Sequence, residues 1–346
     1  VKGQATQLGF ELIEKNGLQI GDYASICEVA TDAVDDIVAL GADADVVEAA
    51  SPLLAMHGIL CIMANVPLGR KVDVDVGRIH YHRWTYVGST GSDIAAAYSA
   101  HPVRSSLKPG GKALFVGAGG PMGRMHVQRA IQLENGPRIV VCTDISDARL
   151  QDMQDTFGDQ ARALDVELVT LNPMNKDAYA AGIAALTKEG AFDDIVVLAP
   201  VAPVIAEAST YLAPGGVMNV FAGVLRGTMA QIDLSQIYLQ DARVSGHTAS
   251  SIDDLKLMLF QAETNLLEPN RSVAAVGSLE AASEGLQALQ NAVYPGKVVI
   301  YPQIKPMPVT AVPDLKDKLP TVYTKLDNGR GWTTEAENEF LAVMLK

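Results

Sequence analysis

The chain has 346 residues, long enough for two domains of ordinary size, and 48% hydrophobic against 19% charged residues mark it as packed and globular. Its formal net charge of −13 argues against nucleic acid or an anionic membrane surface as a partner, because both would repel it. Cys27, Cys61 and Cys142 lie in apolar surroundings without C-x-x-C spacing, so they read as small hydrophobes in a reducing compartment, not as disulfides or zinc ligands.

With no signal peptide and no apolar run of bilayer length, a cytoplasmic protein is expected. Val1 is not a start methionine, residues 6–15 read as the tail of a helix, and nothing before Leu18 opens a domain, so a fragment of a longer chain is expected. Residues 37–40 read as a strand, 45–55 as a small-residue helix, and 59–63 as a second strand leading to a loop at Ala64-Asn65. A further strand should end at Gly88. Along it His80 and His82 alternate onto one face near Asp75, but a metal site needs further ligands that cannot be placed, and polar residues at a sheet edge or subunit contact are the preferred reading. Residues 92–107 read as a helix, and Lys108-Pro-Gly-Gly111 as the turn after it.

The chain is organised around residues 112–144. Lys112-Ala-Leu-Phe-Val-Gly117 is an apolar strand stopped by glycine; Ala118-Gly119-Gly120-Pro121-Met122-Gly123 is a turn; a helix follows over 124–133, and a second apolar strand over 138–143 ends on Asp144. This is the first βαβ half of a dinucleotide-binding fold. G-x-G-x-x-G is matched if Ala118 takes the first glycine place, with Gly120 and Gly123 in the second and third. Small residues let the backbone approach a pyrophosphate at the helix start. Asp144, roughly 20 residues on, can accept from the adenosine ribose hydroxyls. An acid there repels a 2′-phosphate and favours NAD, while Arg149 leaves NADP open. The bland alternative is a doubly wound domain whose glycines only make a tight turn.

A shift of 158 residues lays an earlier stretch on a later one without a gap. Asp36, Ile37, Ser51, Leu54, Gly58, Ala64, Gly69, Asp75, Ile79, Gly88 and Thr90 fall on Asp194, Ile195, Ser209, Leu212, Gly216, Ala222, Gly227, Asp233, Ile237, Gly246 and Thr248. Both read as the second βαβ half, the half that faces the nicotinamide, so an internal repeat is expected. Ala199, Pro200, Ala222 and Gly223 fall at carboxyl ends of strands, where ligands sit in such sheets, and Ile145 and Thr248 join them as candidates. Arg243, Trp84 and Trp332 are read as packing or surface residues. Beyond Gly246 come amphipathic helices over 252–266 and 279–292, a closing strand over 296–301, a proline-bearing connector, and a last helix capped by Thr334 with Glu337.

Several of these stretches resemble the medium-chain, zinc-type alcohol and polyol dehydrogenases, within them the branch of sorbose-1-phosphate reductases. They are Gly120-Pro-Met-Gly123, Thr143-Asp-Ile145 with Ala148-Arg-Leu150, Phe192-Asp-Asp-Ile-Val196, Ala199-Pro-Val-Ala-Pro203, Phe221-Ala-Gly223 and Gly296-Lys297. Ile79-His-Tyr81 and Gly88-Ser-Thr-Gly91 of the earlier stretch add to them. The resemblance implies hydride transfer between a nicotinamide and a small alcohol or ketone. It also implies a catalytic zinc in an N-terminal domain; the Gly-His-Glu motif of that domain is absent here, so zinc is expected only outside this chain.

The expectation is therefore an α/β protein with a doubly wound parallel sheet: a half-domain over 1–107 with its own smaller sheet, a complete NAD(P)-binding domain over 108–301, and a connector and helix over 302–346. The half-domain's vacant edge should be covered by residues 1–20 or pair with another chain, and a homo-oligomer is expected. The chain should bind NAD(H) without turning over substrate. The alternative function is a non-catalytic dinucleotide-binding sensor or assembly module.

Overall fold

A computed structural model describes residues 2–28, 33–99 and 106–345. Its fourteen described strands are β1 (Val34–Leu40), β2 (Leu54–Met63), β3 (Val72–Asp75), β4 (Thr85–Ser89), β5 (Lys112–Val116), β6 (Ile139–Thr143), β7 (Glu167–Leu171), β8 (Phe192–Val197), β9 (Leu212–Val220), β10 (Met229–Ile232), β11 (Arg243–Gly246), β12 (Val273–Ser278), β13 (Lys297–Tyr301) and β14 (Thr310–Ala311). Nine of them form one sheet in the order β1-β2-β4-β11-β9-β8-β5-β6-β7. The six from β7 to β11 have the doubly wound order 3-2-1-4-5-6, with helices Pro121–Gln132, Asp147–Ala163, Lys176–Thr187 and Ala202–Ser209 as crossovers. Fully buried parallel strands need apolar residues on both faces, which the runs in β5, β6 and β8 supply. The acid pair within β8 is structural: Asp194 accepts from the Lys108 N–H at 2.7 Å and Asp193 from the Lys112 N–H at 2.9 Å, tying the connector to the sheet.

Among the described residues, 1–107 do not form the separate smaller sheet expected for them. Strands β1, β2 and β4 join the large sheet through one antiparallel seam between β4 and β11, and every other neighbouring pair in that sheet is parallel. A second antiparallel pair, β3 with β10, runs beside it. One apolar core spans both stretches, with Leu60, Trp84 and Tyr86 packed among Ile195, Met218 and Val244, all buried. Each such side chain taken out of water stabilises by roughly 1.5–3 kcal/mol. That is reason enough for a half-domain to lie on its neighbour instead of standing alone.

The pairing is reciprocal. Tyr86 pairs with Val244 across the seam and Asp73 with Gln231 in the smaller pair, and in both cases the partners are 158 positions apart. A Cβ on Gly88 would lie 2.9 Å from Tyr238 Cβ, and one on Gly246 2.7 Å from the His80 backbone nitrogen; Gly88 matches Gly246 and His80 matches Tyr238 under the same shift. Residue i meeting j while the counterpart of j meets the counterpart of i is the signature of a two-fold contact.

Other expectations are corrected. The first helix is Lys2–Gln7, with no helix over residues 8–15. Residues 20–22 pack near the helix Ala44–Ala50, and β1 pairs with β2 alone among the described residues. The expected helix over 92–107 is described only as Ile94–Ser99; residues 100–105 lie outside the described residues. β13 does not close the large sheet but pairs with β12 in a three-stranded sheet that carries the C-terminal arm. Helix Ile252–Glu263 buries none of its residues, and Leu255, Leu259 and Phe260 stand half exposed or more. The final helix, Thr334–Met344, is capped by Thr333, whose hydroxyl accepts from the Ala336 N–H; Glu337 instead accepts from the Tyr301 hydroxyl at 2.6 Å. Arg243, Trp84 and Trp332 are buried, as packing residues are. No helix among the described residues is long and apolar enough to cross a membrane.

Candidate functional site

Strand order reverses between β5 and β8, so a crevice opens at their carboxyl ends. Gly117 ends β5 with φ +80, and a Cβ there would lie 3.0 Å from Ala199 Cβ at the end of β8. The N–H groups of Gly117 and Ala118 both donate to the Thr143 carbonyl at 2.9 Å, hooking the turn to the end of β6. The next glycines differ in kind. A Cβ on Gly123 would sit 2.3 Å from the Ala118 carbonyl oxygen, so this residue lets the helix abut the turn. A Cβ on Gly120 would meet nothing within 4 Å. Pro121 opens the helix, and Arg124 N–H is bonded back to the Gly120 carbonyl at 3.0 Å. The N–H groups of Met122 and Gly123, ahead of it, have no carbonyl of their own helix to reach. Arg124 itself is buried, pairs with Asp152 and lies over the Phe157 ring, clipping the two crossover helices together.

Asp144 is buried behind this turn. Its Oδ2 accepts from the Gly119 N–H and its Oδ1 from the Ser146 N–H, each at 3.0 Å. A Cβ on Gly119 would strike Asp144 Oδ2 at 2.7 Å and Arg149 Cβ at 2.8 Å, which gathers Gly119, Asp144 and Arg149 into one cluster. A carboxylate has about four lone-pair positions, so two N–H donors leave capacity for ligand hydroxyls. Among the described residues no carboxylate forms an ion pair with Arg149. Ile145 is 70% exposed, its carbonyl accepting from the Asn172 amide at 3.3 Å.

Across the crevice, the N–H groups of Phe221 and Ala222 donate to the Val197 carbonyl at 3.0 and 2.8 Å, which sets Ala222 inward and Gly223 at the mouth. Ala199 is half-buried and Pro200 exposed at the end of β8. Thr248 is held by the earlier stretch instead: Arg83 donates to its carbonyl at 2.6 Å.

Three residues were not among the sequence candidates for this crevice. Lys297 Nζ lies 3.7 Å from Met122 Sδ, bringing a cation to the start of the helix; its signal was the Gly296-Lys297 match. His126 Nδ1 donates to the Met122 carbonyl at 2.8 Å and its ring stands 4.5 Å from Phe221. His80 is buried beside Gly223, with burial the main cause that lowers its pKa. The expected strand through His80 and His82 is in fact the helix Val76–His82, started by Asp75, whose Oδ1 accepts from the Arg78 N–H at 3.0 Å. Two positions apart on a helix point in different directions, so the two histidines share no face. A cavity of about 450 Å3 by the C-terminal arm, lined by Glu268, Arg271, Asp327 and Trp332, shares no residue with the crevice, and Arg271 is already paired with Glu268 and Asp327.

No protein-family model matches the chain. It is 31% identical over 301 residues to the uncharacterized protein YggP of Escherichia coli (strain K12), covering 84% of this chain and 67% of YggP. It is 27% identical over 245 residues to mannitol-1-phosphate 5-dehydrogenase of Aliivibrio fischeri, covering 68% of this chain and 57% of that protein. To L-sorbose 1-phosphate reductase of Klebsiella pneumoniae it is 26% identical over 237 residues, covering 68% of this chain and 56% of the reductase. The chain thus spans little more than half the length of the last two relatives. With 31% identity over two thirds of that protein's length, the chain belongs to the family of YggP.

Proposed function

We propose that the chain binds NAD(H) in the crevice between β5 and β8 and serves as the cofactor-binding part of an oxidoreductase acting on a small alcohol or ketone, in the class of sugar-alcohol phosphates. The observation that carries the reading is the open space over Gly120 at a helix start whose Met122 and Gly123 N–H groups have no intrahelical acceptor. Gly120, Met122 and Gly123 would hold the pyrophosphate with Lys297 beside it, and Asp144 would accept from the adenosine ribose. Ala199, Pro200, Ala222 and Gly223 would line the nicotinamide half, and Ile145 would border the adenine. When bound, the nicotinamide supplies the hydride donor or acceptor; the residues named here bind and orient it. The relatives' names, a polyol-phosphate dehydrogenase and a sugar-phosphate reductase, support the substrate class. Zinc is assigned to a part of the enzyme outside these residues. The buried free thiols of Cys61 and Cys142 support a reducing compartment.

Titration of the chain with NADH and NADPH tests the cofactor; as the cofactor-binding part alone, the chain should not by itself reduce NAD with mannitol 1-phosphate. Saturable binding with NADH preferred is expected; no binding of either dinucleotide would overturn the reading. A second reading, a dinucleotide-binding assembly module, is favoured by the solvent-facing apolar residues of helix Ile252–Glu263, a surface suited to a homo-oligomer. Turnover by the chain would exclude it.

A further inference from the structure

The helix that carries His80 belongs to the early stretch, yet it is docked onto the later one, at its start on the loop before β10 and further along on the end of β11. At its start the Asp75 carboxylate accepts from the Gly227 N–H at 2.9 Å, the Val76 N–H donates to the Thr228 carbonyl at 3.0 Å, and a Cβ on Gly77 would lie 2.2 Å from the Leu225 carbonyl oxygen. Further along, a Cβ on Gly246 would lie 2.4 Å from the Ile79 carbonyl oxygen. So fixed, the helix sets His80 and Tyr81 against Gly223: a Cβ there would be 3.9 Å from His80 Nε2 and 3.2 Å from the Tyr81 hydroxyl. The rings of His80 and Tyr81 meet edge-on at 4.7 Å, His80 stands 6.1 Å from Phe221, and Arg226 lies over Tyr81.

The state of the imidazole follows from its partner. Nδ1 lies 3.3 Å from the Val220 carbonyl, which can only accept, so Nδ1 carries the proton. The ring is buried and, among the described residues, no carboxylate bonds to it; the charged or titratable neighbours that bear on it there are His247 and, through Tyr81, Arg226. Burial disfavours its charged form, and Nε2 is a lone-pair position without a protein donor among the described residues, turned toward Gly223 at the mouth of the crevice.

We propose that His80 recognises the carboxamide of the bound nicotinamide, its Nε2 accepting a hydrogen bond from the carboxamide N–H. The inference rests on the dinucleotide reading above and deepens it: the early stretch forms a wall of the crevice of the later domain, supplying a residue that the later domain lacks. At the position matching His80 the later stretch has Tyr238, whose hydroxyl donates to the Val66 carbonyl at 2.7 Å and is spent on structure.

The test compares NADH, its 3-acetylpyridine analogue, which has no carboxamide N–H, and ADP-ribose, which has no nicotinamide. Wild type should bind NADH roughly two- to tenfold more tightly than the analogue, the range of one net hydrogen bond. His80→Asn keeps a donor for the Val220 carbonyl and removes the Nε2 acceptor, so it should lose that preference and keep its ADP-ribose affinity. His80→Gln, which carries an amide oxygen near the Nε2 position, should recover most of it. Three outcomes would overturn the inference: equal wild-type affinity for NADH and the analogue, a preference that survives in His80→Asn, or an equal fall in ADP-ribose binding. The wild-type comparison stands even where a variant does not fold. Failure of wild type to bind NADH at all would instead overturn the dinucleotide reading itself.

Discussion

Asp144 has two tasks that pull on one carboxylate. It anchors the Gly119 and Ser146 N–H groups at 3.0 Å each, and in the proposed function it also accepts from the ribose. Asp144→Asn separates them, since an amide keeps one acceptor and turns a donor toward an existing N–H. NADH affinity should fall roughly tenfold, as for a lost charge-assisted hydrogen bond, while NADPH falls less or improves. Parallel titrations decide it; equal losses would place Asp144 outside the ribose pocket. Lys297→Ala should weaken both dinucleotides alike, because a cation beside the pyrophosphate does not sense the 2′ position, and the loss should shrink at high salt. The histidines set an acid limit. Burial lowers the pKa of both His80 and His126, so the unfolded chain takes up protons that the folded one resists. Stability from this source is present above the ordinary histidine value of about 6.5 and is lost as pH falls below it toward the lowered folded values. The urea midpoint should therefore drop between roughly pH 7 and 5.5, and less steeply in His126→Gln; parallel curves for the two proteins would count against this cause.

At the scale of the element, the glycine turn divides function from packing within four residues. Gly120 has φ −80 and ψ 170, which any residue adopts, and open space where a side chain would go. Gly120→Ala should keep the wild-type melting temperature and lose dinucleotide affinity. Gly123→Ala should lose about 1–3 kcal/mol of stability, since its Cβ would press on the Ala118 carbonyl, a backbone atom that cannot swing aside. Thermal melts and titrations on the same two variants check both halves, and a Gly120→Ala protein that binds normally would remove the cradle. This turn was legible in the sequence because its cues are local: apolar runs, glycines, and an acid at the end of the second strand. The doubly wound parallel sheet of the later stretch was legible for the same reason. Helix Val76–His82 was not, because seven residues hold too few turns to show a 3.6 period, and Ile-His-Tyr-His reads equally well as alternation. Its true cue was Asp75 as an N-cap. The final helix misled by one residue, Thr333 and Thr334 being chemically alike as caps. The seam between β4 and β11 left no local trace at all, since pairing partners far apart in sequence are chosen by the surfaces they bury.

For the whole molecule, that seam has the further consequence that it occupies a surface a second copy could use. Val244 and Ile232 are fully buried against the early stretch and its strands. If residues 1–105 are removed, the complete six-strand unit remains, but β10 and β11 are left with open edges, and exposed edges seek partners. The register states which partner fits. Tyr86 pairs with Val244 and Asp73 with Gln231, each 158 positions from its mate, so a second copy of the later unit can take the place of the early stretch with Val244 opposite Val244 and Gln231 opposite Gln231. We predict that a chain starting at residue 106 forms a symmetric dimer through this edge. Residues directly opposite in an antiparallel pair are about 4.5–5.5 Å apart, within disulfide range. Gln231→Cys should therefore oxidise to a covalent dimer in the shortened chain, while in the full chain, where Asp73 already faces that position, it should remain a free thiol. Light scattering gives the mass and non-reducing electrophoresis the cross-link. A shortened chain that stays monomeric, or a Gln231→Cys variant that dimerises without forming the intermolecular disulfide, would show that the early stretch does not stand where a two-fold partner would.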